Sequence, residues 1–323
     1  DGTGIAQLTS GAADTSSSRP DLATTAGTVA FDSDADLTGG NADLSREIFV
    51  VGLDGTGLAQ LTDGPLGTAS RAPRIDASGT WVVFESNADL DGTNPDGTFE
   101  VHRVRADGSG LEAITADALV DAGGPDISGD GSRIVYSSAA DPLGTNPEGN
   151  LEVFGYRPDT LARTQLTATA EGNSGAAVID GDGTWVLFSS NAPIFEDVPG
   201  RPADLYRIPF EGGAIERIGA LRRGAPAALP IGLGGGSGVA VGDDGDVAVF
   251  SGLGDFTEAN PDGLPELWTV DRAEPARFDV GKGTPTALSW THGSGPLRYD
   301  VVRGDVAALA GGTAETVDLG TVV

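Results

Sequence analysis

The sequence predicts an all-β fold: a β-propeller of four-stranded antiparallel blades. Three observations lead there. A unit of about 52 residues recurs, each unit holds short strand-like runs bounded by Gly and Asp turns, and nothing between the runs has helical periodicity. Asp1-Gly2-Thr3-Gly4-Ile5-Ala6-Gln7-Leu8-Thr9 returns as Asp54-Gly55-Thr56-Gly57-Leu58-Ala59-Gln60-Leu61-Thr62 and as Asp107-Gly108-Ser109-Gly110-Leu111-Glu112-Ala113-Ile114-Thr115, with weaker copies opening at Asp159 and Glu211. Starts at 1, 54, 107, 159 and 211 make five copies of one unit.

Within a unit the elements keep one order. The first strand sits at a proline, as in Ala72-Pro73-Arg74-Ile75-Asp76 and Gly124-Pro125-Asp126-Ile127-Ser128. A tight turn follows, as at Gly129-Asp130-Gly131-Ser132, where Gly and Asp accept the dihedrals a turn imposes. The second strand is an apolar run: Val29-Ala30-Phe31, Trp81-Val82-Val83-Phe84, Ile134-Val135-Tyr136, Trp185-Val186-Leu187-Phe188 and Val247-Ala248-Val249-Phe250. A strand with one wet face alternates, and this one does not, so it must be covered front and back. Blades stacked radially around a channel give that environment. A β-solenoid is the competing architecture, but its coils are usually shorter than this repeat. An Asp/Asn/Gly loop, a third strand such as Glu47–Val51 or Leu205–Ile208, a second turn and the Gln-Leu-Thr strand complete the unit.

Counted this way, Ile5 to Thr9 is a fourth strand with no three before it, and Ala276–Val280 closes the triplet ending near Val270. Either a triplet precedes Asp1, or residues 285–323 supply it and Ile5–Thr9 closes the ring. The start on Asp1-Gly2-Thr3-Gly4 rather than Met predicts a mature or trimmed fragment.

The 323 residues carry 48 acidic and 19 basic side chains, a formal charge of −29, with no Cys and one lysine, Lys282. Without Cys there is no disulfide framework, thiolate metal site or cysteine nucleophile. The negative field opposes non-specific binding to nucleic acid or anionic lipid, which needs surplus Lys and Arg. No apolar run approaches the roughly 20 residues of a membrane helix. The acidity itself has two open readings: the bias of a salt-adapted or GC-rich proteome, or a surface for cations.

The proline before the first strand, the Asp/Ser-rich Gly turn, the apolar run ending in an aromatic and Asp-Gly-Thr-Gly…Gln-Leu-Thr together resemble the TolB-type (WD40-like) propeller repeat. The resemblance covers residues 1–280; the fifth unit is looser, with extra Gly/Pro/Ala-rich residues between Gly219 and Gly238. It implies six or more blades and a bacterial periplasmic, surface or secreted protein. It further implies a rigid platform for protein partners, in some cases attached to a peptidase domain. Residues 281–323 are assigned separately. Trp290 and the alternation Leu297/Tyr299/Val301 resemble the opening of a fibronectin type III-like domain, with strands of a sixth blade as the alternative.

Signatures of catalysis are missing. His102 and His292 are the two histidines, there is no Gly-x-Ser-x-Gly elbow, and no paired His offers a zinc site. The glycine run Gly232–Gly238 has no basic residue to hold phosphate. The expected function is therefore a non-enzymatic binding or scaffold module of an exported bacterial protein. It would recognise a protein through the face that carries the long second-to-third loops and blade connections. The alternative is the propeller of a larger hydrolase, such as a prolyl-oligopeptidase-type serine peptidase, with its catalytic domain outside this chain.

The second-to-third loop repeats one acidic spacing. Asp36, Asn41, Asp43 and Glu47 recur as Asp89, Asn94, Asp96 and Glu100, as Asp141, Asn146, Glu148 and Glu152, and as Asp255, Asn260, Asp262 and Glu266. In the fourth unit only Asp204 matches, at the last position. Two readings stand side by side. Three carboxylates and an amide within 12 residues suit Ca2+, which takes six to eight oxygens. Asp and Asn also recur in hairpin loops because they cap turns with their own side chains.

Overall fold

The computed structural model describes residues 4–195 and 203–219, together with the strand backbones at Val239–Val241, Val247–Gly252, Glu266–Asp271, Asp279–Val280 and Leu288–Ser289. The chain divides into two compact units, Asp1–Asp271 and Arg272–Val323.

The first unit consists of blades. Blade one is β1 (Ser17–Ala23), β2 (Thr28–Ser33), β3 (Glu47–Gly52) and β4 (Ala59–Gln60). Blade two is β5 (Ser70–Ile75), β6 (Trp81–Ser86), β7 (Glu100–Arg105) and β8 (Glu112–Ala113). Blade three is β9 (Ala122–Ile127), β10 (Ile134–Ser138), β11 (Glu152–Arg157) and β12 (Ala162–Gln165). Blade four is β13 (Ser174–Ile179), β14 (Trp185–Ser190), β15 (Asp204–Pro209) and β16 (Glu216–Gly219). A fifth sheet holds β17 (Val239–Val241), β18 (Val247–Gly252) and β19 (Glu266–Asp271). All pairs are antiparallel and lie in chain order, so each sheet is a meander. Among the described residues there is no helix. In the second unit β20 (Asp279–Val280) pairs with β21 (Leu288–Ser289).

One strand expectation is corrected. Ile5–Thr9 carries the fourth-strand letters but has no strand geometry; Ile5 is 89% exposed and Leu8 merely leans on the Phe31/Phe49 cluster. A two-residue fourth strand exists by pairing with a third strand, and none lies beside Ile5–Thr9 among the described residues. In the second unit Val280 pairs with Leu288, and residues 276–278 of the other expected fourth strand lie outside the described residues. The remainder of the fibronectin-like stretch lies outside the described residues.

The second strands β2, β6, β10 and β14 are buried on both faces, as their composition requires. Val82, Val83 and Phe84 are all fully buried. Each layer of core is shared by successive blades: Ile48 and Val50 of blade one pack with Val82, Phe84 and Val104 of blade two. Val83, Val101 and Ile114 of blade two then pack with Ile134, Tyr136 and Phe154 of blade three. Within each blade the register between second and third strands sets two rings opposite one another, Phe31 on Phe49, Tyr136 on Phe154 and Phe188 on Tyr206. Their centroids lie 5.6, 5.5 and 5.7 Å apart and their planes are near parallel.

Blade two puts His102 in this ladder, 5.5 Å from the Phe84 ring and fully buried. Its Nδ1 lies 3.1 Å from the Glu100 carbonyl. A carbonyl only accepts, so Nδ1 carries the proton and Nε2, which has no partner, is left a bare acceptor. Burial pushes its pKa down, which keeps the ring neutral. His102 is thus a core ring, neither at the surface nor fully satisfied.

The first strands are bulged at one equivalent residue. Arg19, Ala72, Gly124 and Ala176 have φ of 50, 55, 59 and 51°, and the ladder shifts register beside each. Pro20, Pro73 and Pro125 follow the first three, where a residue with no N–H cannot extend the ladder. The left-handed conformation costs an L-residue on the order of 1–2 kcal/mol. A carboxylate from the preceding blade helps to hold it: Asp32 accepts the Ala72 N–H at 3.1 Å and Glu85 the Gly124 N–H at 2.9 Å. The turns that follow the first strands are latched from blade to blade by backbone alone. Thr25 N–H donates to Ala77 O (2.9 Å), Ala77 N–H to Gly129 O (3.0 Å) and Gly129 N–H to Gly181 O (2.8 Å).

Candidate functional site

A four-stranded meander sends its second-to-third loop and its exit connection to the same end. In blades one, two and three a buried glutamate at the start of the third strand bolts the two together. Glu47 accepts hydrogen bonds from the Gly64 N–H (2.8 Å), the Ser45 hydroxyl (2.8 Å) and the Thr62 hydroxyl (2.5 Å). Thr62 is the threonine of Gln-Leu-Thr, and its Oγ1 also accepts the Ile48 N–H at 2.9 Å. Glu152 repeats the device with Asn150 (2.7 Å), the Thr169 N–H (2.7 Å) and hydroxyl (2.6 Å), and Thr167. Glu100 accepts the Asp117 N–H at 2.9 Å, while Thr115 accepts the Val101 N–H at 2.8 Å. The two repeated motifs, loop acid and Gln-Leu-Thr, form one joint. Desolvation raises the pKa of Glu47 and pushes that of Glu100 up to about 7.

The remaining motif residues close the loops. Asp36, Asp89 and Asp141 accept the N–H of Asn41 (3.0 Å), Asn94 (2.9 Å) and Asn146 (2.7 Å). Those asparagines, all buried, donate to the carbonyls of Ser45 (2.8 Å), Thr98 (2.7 Å) and Asn150 (2.9 Å). Asp43 accepts from the Ser45 N–H (3.1 Å) and hydroxyl (2.9 Å), and Asp96 accepts from the Leu119 N–H (2.7 Å) and the Thr98 hydroxyl (2.9 Å); these donors hold both carboxyls below the usual range. Glu148 is exposed. Asp204, at the start of β15, is buried against Arg217. Asp255, Asn260 and Asp262 lie outside the described residues, and Glu266 opens β19. Among the described residues no three His, Asp or Glu side chains gather around one point that could hold an ion.

A cavity of about 250 Å³ lies among the first strands of successive blades and the turns after them. Asp21, Arg74 and Asp126 occupy equivalent places on β1, β5 and β9 and line it. Arg74 stands 3.9 Å from Asp21 and 3.7 Å from Asp126. Each carboxylate also ties its blade to the next, Asp21 accepting the Ile75 N–H and Asp126 the Ile179 N–H, both at 2.8 Å. Burial, reinforced by the charge of Asp21 and opposed by Arg74, pushes Asp126 up to about 6. The cavity can therefore change charge near pH 6. Sequence reading missed it, although Asp21, Arg74 and Asp126 fall on the repeat at spacings that a first-strand alignment would expose.

No family model and no curated protein matches the sequence. Among solved structures the chain is similar to a TolB-type protein of Agrobacterium tumefaciens, at 14% identity and a TM-score of 0.52 over 79% of this chain and 77% of that one. The fold is a TolB-like β-propeller. The TolB-like propeller is also similar to the oligogalacturonate lyase of Vibrio parahaemolyticus, at 14% identity and a TM-score of 0.50, spanning 77% of this chain and 64% of the lyase. Identity this low carries the fold and not the activity, because propellers host unrelated functions.

Proposed function

We propose that this TolB-like propeller is a non-enzymatic binding and scaffold module of an exported bacterial protein, and that it recognises a protein partner through its long-loop face. The observation that carries the reading is the Glu–Thr joint. In blades one to three it fastens the long loop to the neighbouring connection, while the loop tips stay in solvent. Variable loops on a fixed scaffold are where recognition tends to reside, and pre-ordered loops lose less entropy on binding. Against catalysis in the described residues, His102 is enclosed in the core. Export rests on the likeness to TolB alone.

Cross-linking in the native cell tests this. With a single lysine in the chain, a carboxylate-reactive reagent is needed. Partner links should concentrate on the exposed Asp63, Glu148 and Glu171, and Lys substitutions there should weaken the complex while Asp159→Lys, on the opposite face, should not. Links confined to the opposite face, or a hydrolase domain on the same polypeptide, would overturn the reading.

The acidic loops act, on this reading, as turn locks. Thermal unfolding is expected to give one midpoint in millimolar Ca2+, in Mg2+ and with chelator. If the loops took Ca2+ instead, an ion at 100 times its dissociation constant would add about 2.7 kcal/mol per site, and a Ca2+-specific rise in the midpoint would establish that chemistry.

A further inference from the structure

We infer that the long-loop face takes a basic protein surface with apolar sockets, and that Leu66 and Leu119 are its anchors; this rests on the binding reading of the same face. Leu66 and Leu119 hold the same place in successive blade connections, six residues beyond Gln60 and Ala113. They are 75% and 82% exposed. Leu119 moreover has φ of 63°, a conformation that disfavours leucine, so neither burial nor backbone preference accounts for it. It is held there by the acidic loop, since the Leu119 N–H donates to Asp96 at 2.7 Å. In blade two the third acid of the repeated motif therefore braces an exposed leucine. Leu44, 50% exposed with φ of 59°, stands next to Asp43 as a third apolar tip.

In the described loops and connections the charge around these tips is predominantly negative. Arg46 is the one basic residue within 34–46, 61–69, 87–99, 114–121, 139–151, 166–173 and 191–195, and it is already bound to Asp32 and Asp34. Exposed Asp63 and Asp121 flank the two leucines. Apolar knobs in an anionic field complement a partner whose Lys and Arg rim apolar pockets: the rim charges steer encounter and the buried knobs hold the complex. The same field disfavours a nucleic acid or an anionic membrane as the occupant.

The test uses the full chain and three synthetic peptides of equal length: Leu/Lys amphipathic, Ser/Lys of the same charge, and Leu/Glu. The Leu/Lys peptide should bind at least tenfold more tightly than the other two. L66S/L119S should lose that margin while its thermal midpoint is unchanged. L53S/L161S, which removes leucines 54% and 68% exposed on the opposite face, should keep it. Absence of binding to the Leu/Lys peptide, or equal affinity of wild type and L66S/L119S, would overturn the anchor role. In the second case the binding face itself would stand if Glu148→Lys and Glu171→Lys still weakened the complex. Loss confined to L53S/L161S would overturn both.

Discussion

Phe84→Ala is expected to lower the stability of the propeller by about 3–5 kcal/mol, the cost of removing a buried aromatic side chain from a packed core. Phe84 is fully buried, stacks on His102 and belongs to the layer that joins blades one and two, so the cavity opens at a joint rather than at a free edge. Denaturant unfolding should show a lower midpoint with an unchanged slope, which reports lost stability without a change in the surface exposed. The partner substitution should act in the opposite direction. His102→Phe replaces a ring with an unpaired buried nitrogen by the kind of ring that Phe49 and Phe154 supply in blades one and three. Removing an unsatisfied buried acceptor is worth about 1–3 kcal/mol. A Phe84→Ala loss below about 1 kcal/mol, or a destabilising His102→Phe, would contradict the assignment of the ladder.

Acidification from pH 8 to pH 5.5 should raise the melting temperature. Four carboxyls are held above their ordinary values chiefly by burial: Glu47, Glu100 at about 7, Asp126 at about 6 and Asp180 at about 6. In this interval the native state keeps protons that the unfolded chain has already released. The slope of stability with pH is therefore negative: stability falls as pH rises from about 4 to about 7 and levels off above. The depressed groups, Asp43, Asp54, Asp91, Asp96, Asp107, Asp130 and Asp182, act the other way, but they titrate below the ordinary carboxylate value and so reduce stability only at lower pH. One pKa unit corresponds to about 1.4 kcal/mol, so the shift of Glu100 alone amounts to roughly 3 kcal/mol at pH 8. Glu100→Gln keeps an acceptor for the Asp117 N–H without the charge. It should stabilise the protein at pH 8 and flatten the pH dependence; a midpoint that falls between pH 8 and 5.5 would contradict the buried-acid account.

The blades were legible because each second strand announces itself: an apolar run such as Trp81–Phe84 permits no wet face, and repetition fixes which runs are equivalent. What depends on a partner was not legible. Ile5–Thr9 has the letters of a fourth strand, but a strand this short exists through its neighbour. His102 looks like an ordinary strand histidine until the register sets it opposite Phe84. In the acidic loops the spacing was plain, whereas the hydrogen bonds depend on where the N–H groups of Asn41, Gly64 and Leu119 lie, which letters do not encode. Glu47 and Thr62 stand 15 residues apart, as do Glu100 and Thr115 and Glu152 and Thr167, and that constant interval was the available clue to the joint.

The latch from Thr25 through Ala77 and Gly129 to Gly181 consists of peptide groups alone. A joint of that kind asks for no particular side-chain chemistry and only limits size, since a Cβ on Gly129 would meet the Gly181 carbonyl oxygen at 2.9 Å. A tandem duplication of one repeat would deliver both halves of a working joint at once, and a deletion would bring two compatible edges together. Blade number can then drift by whole units while the sequences of the blades diverge.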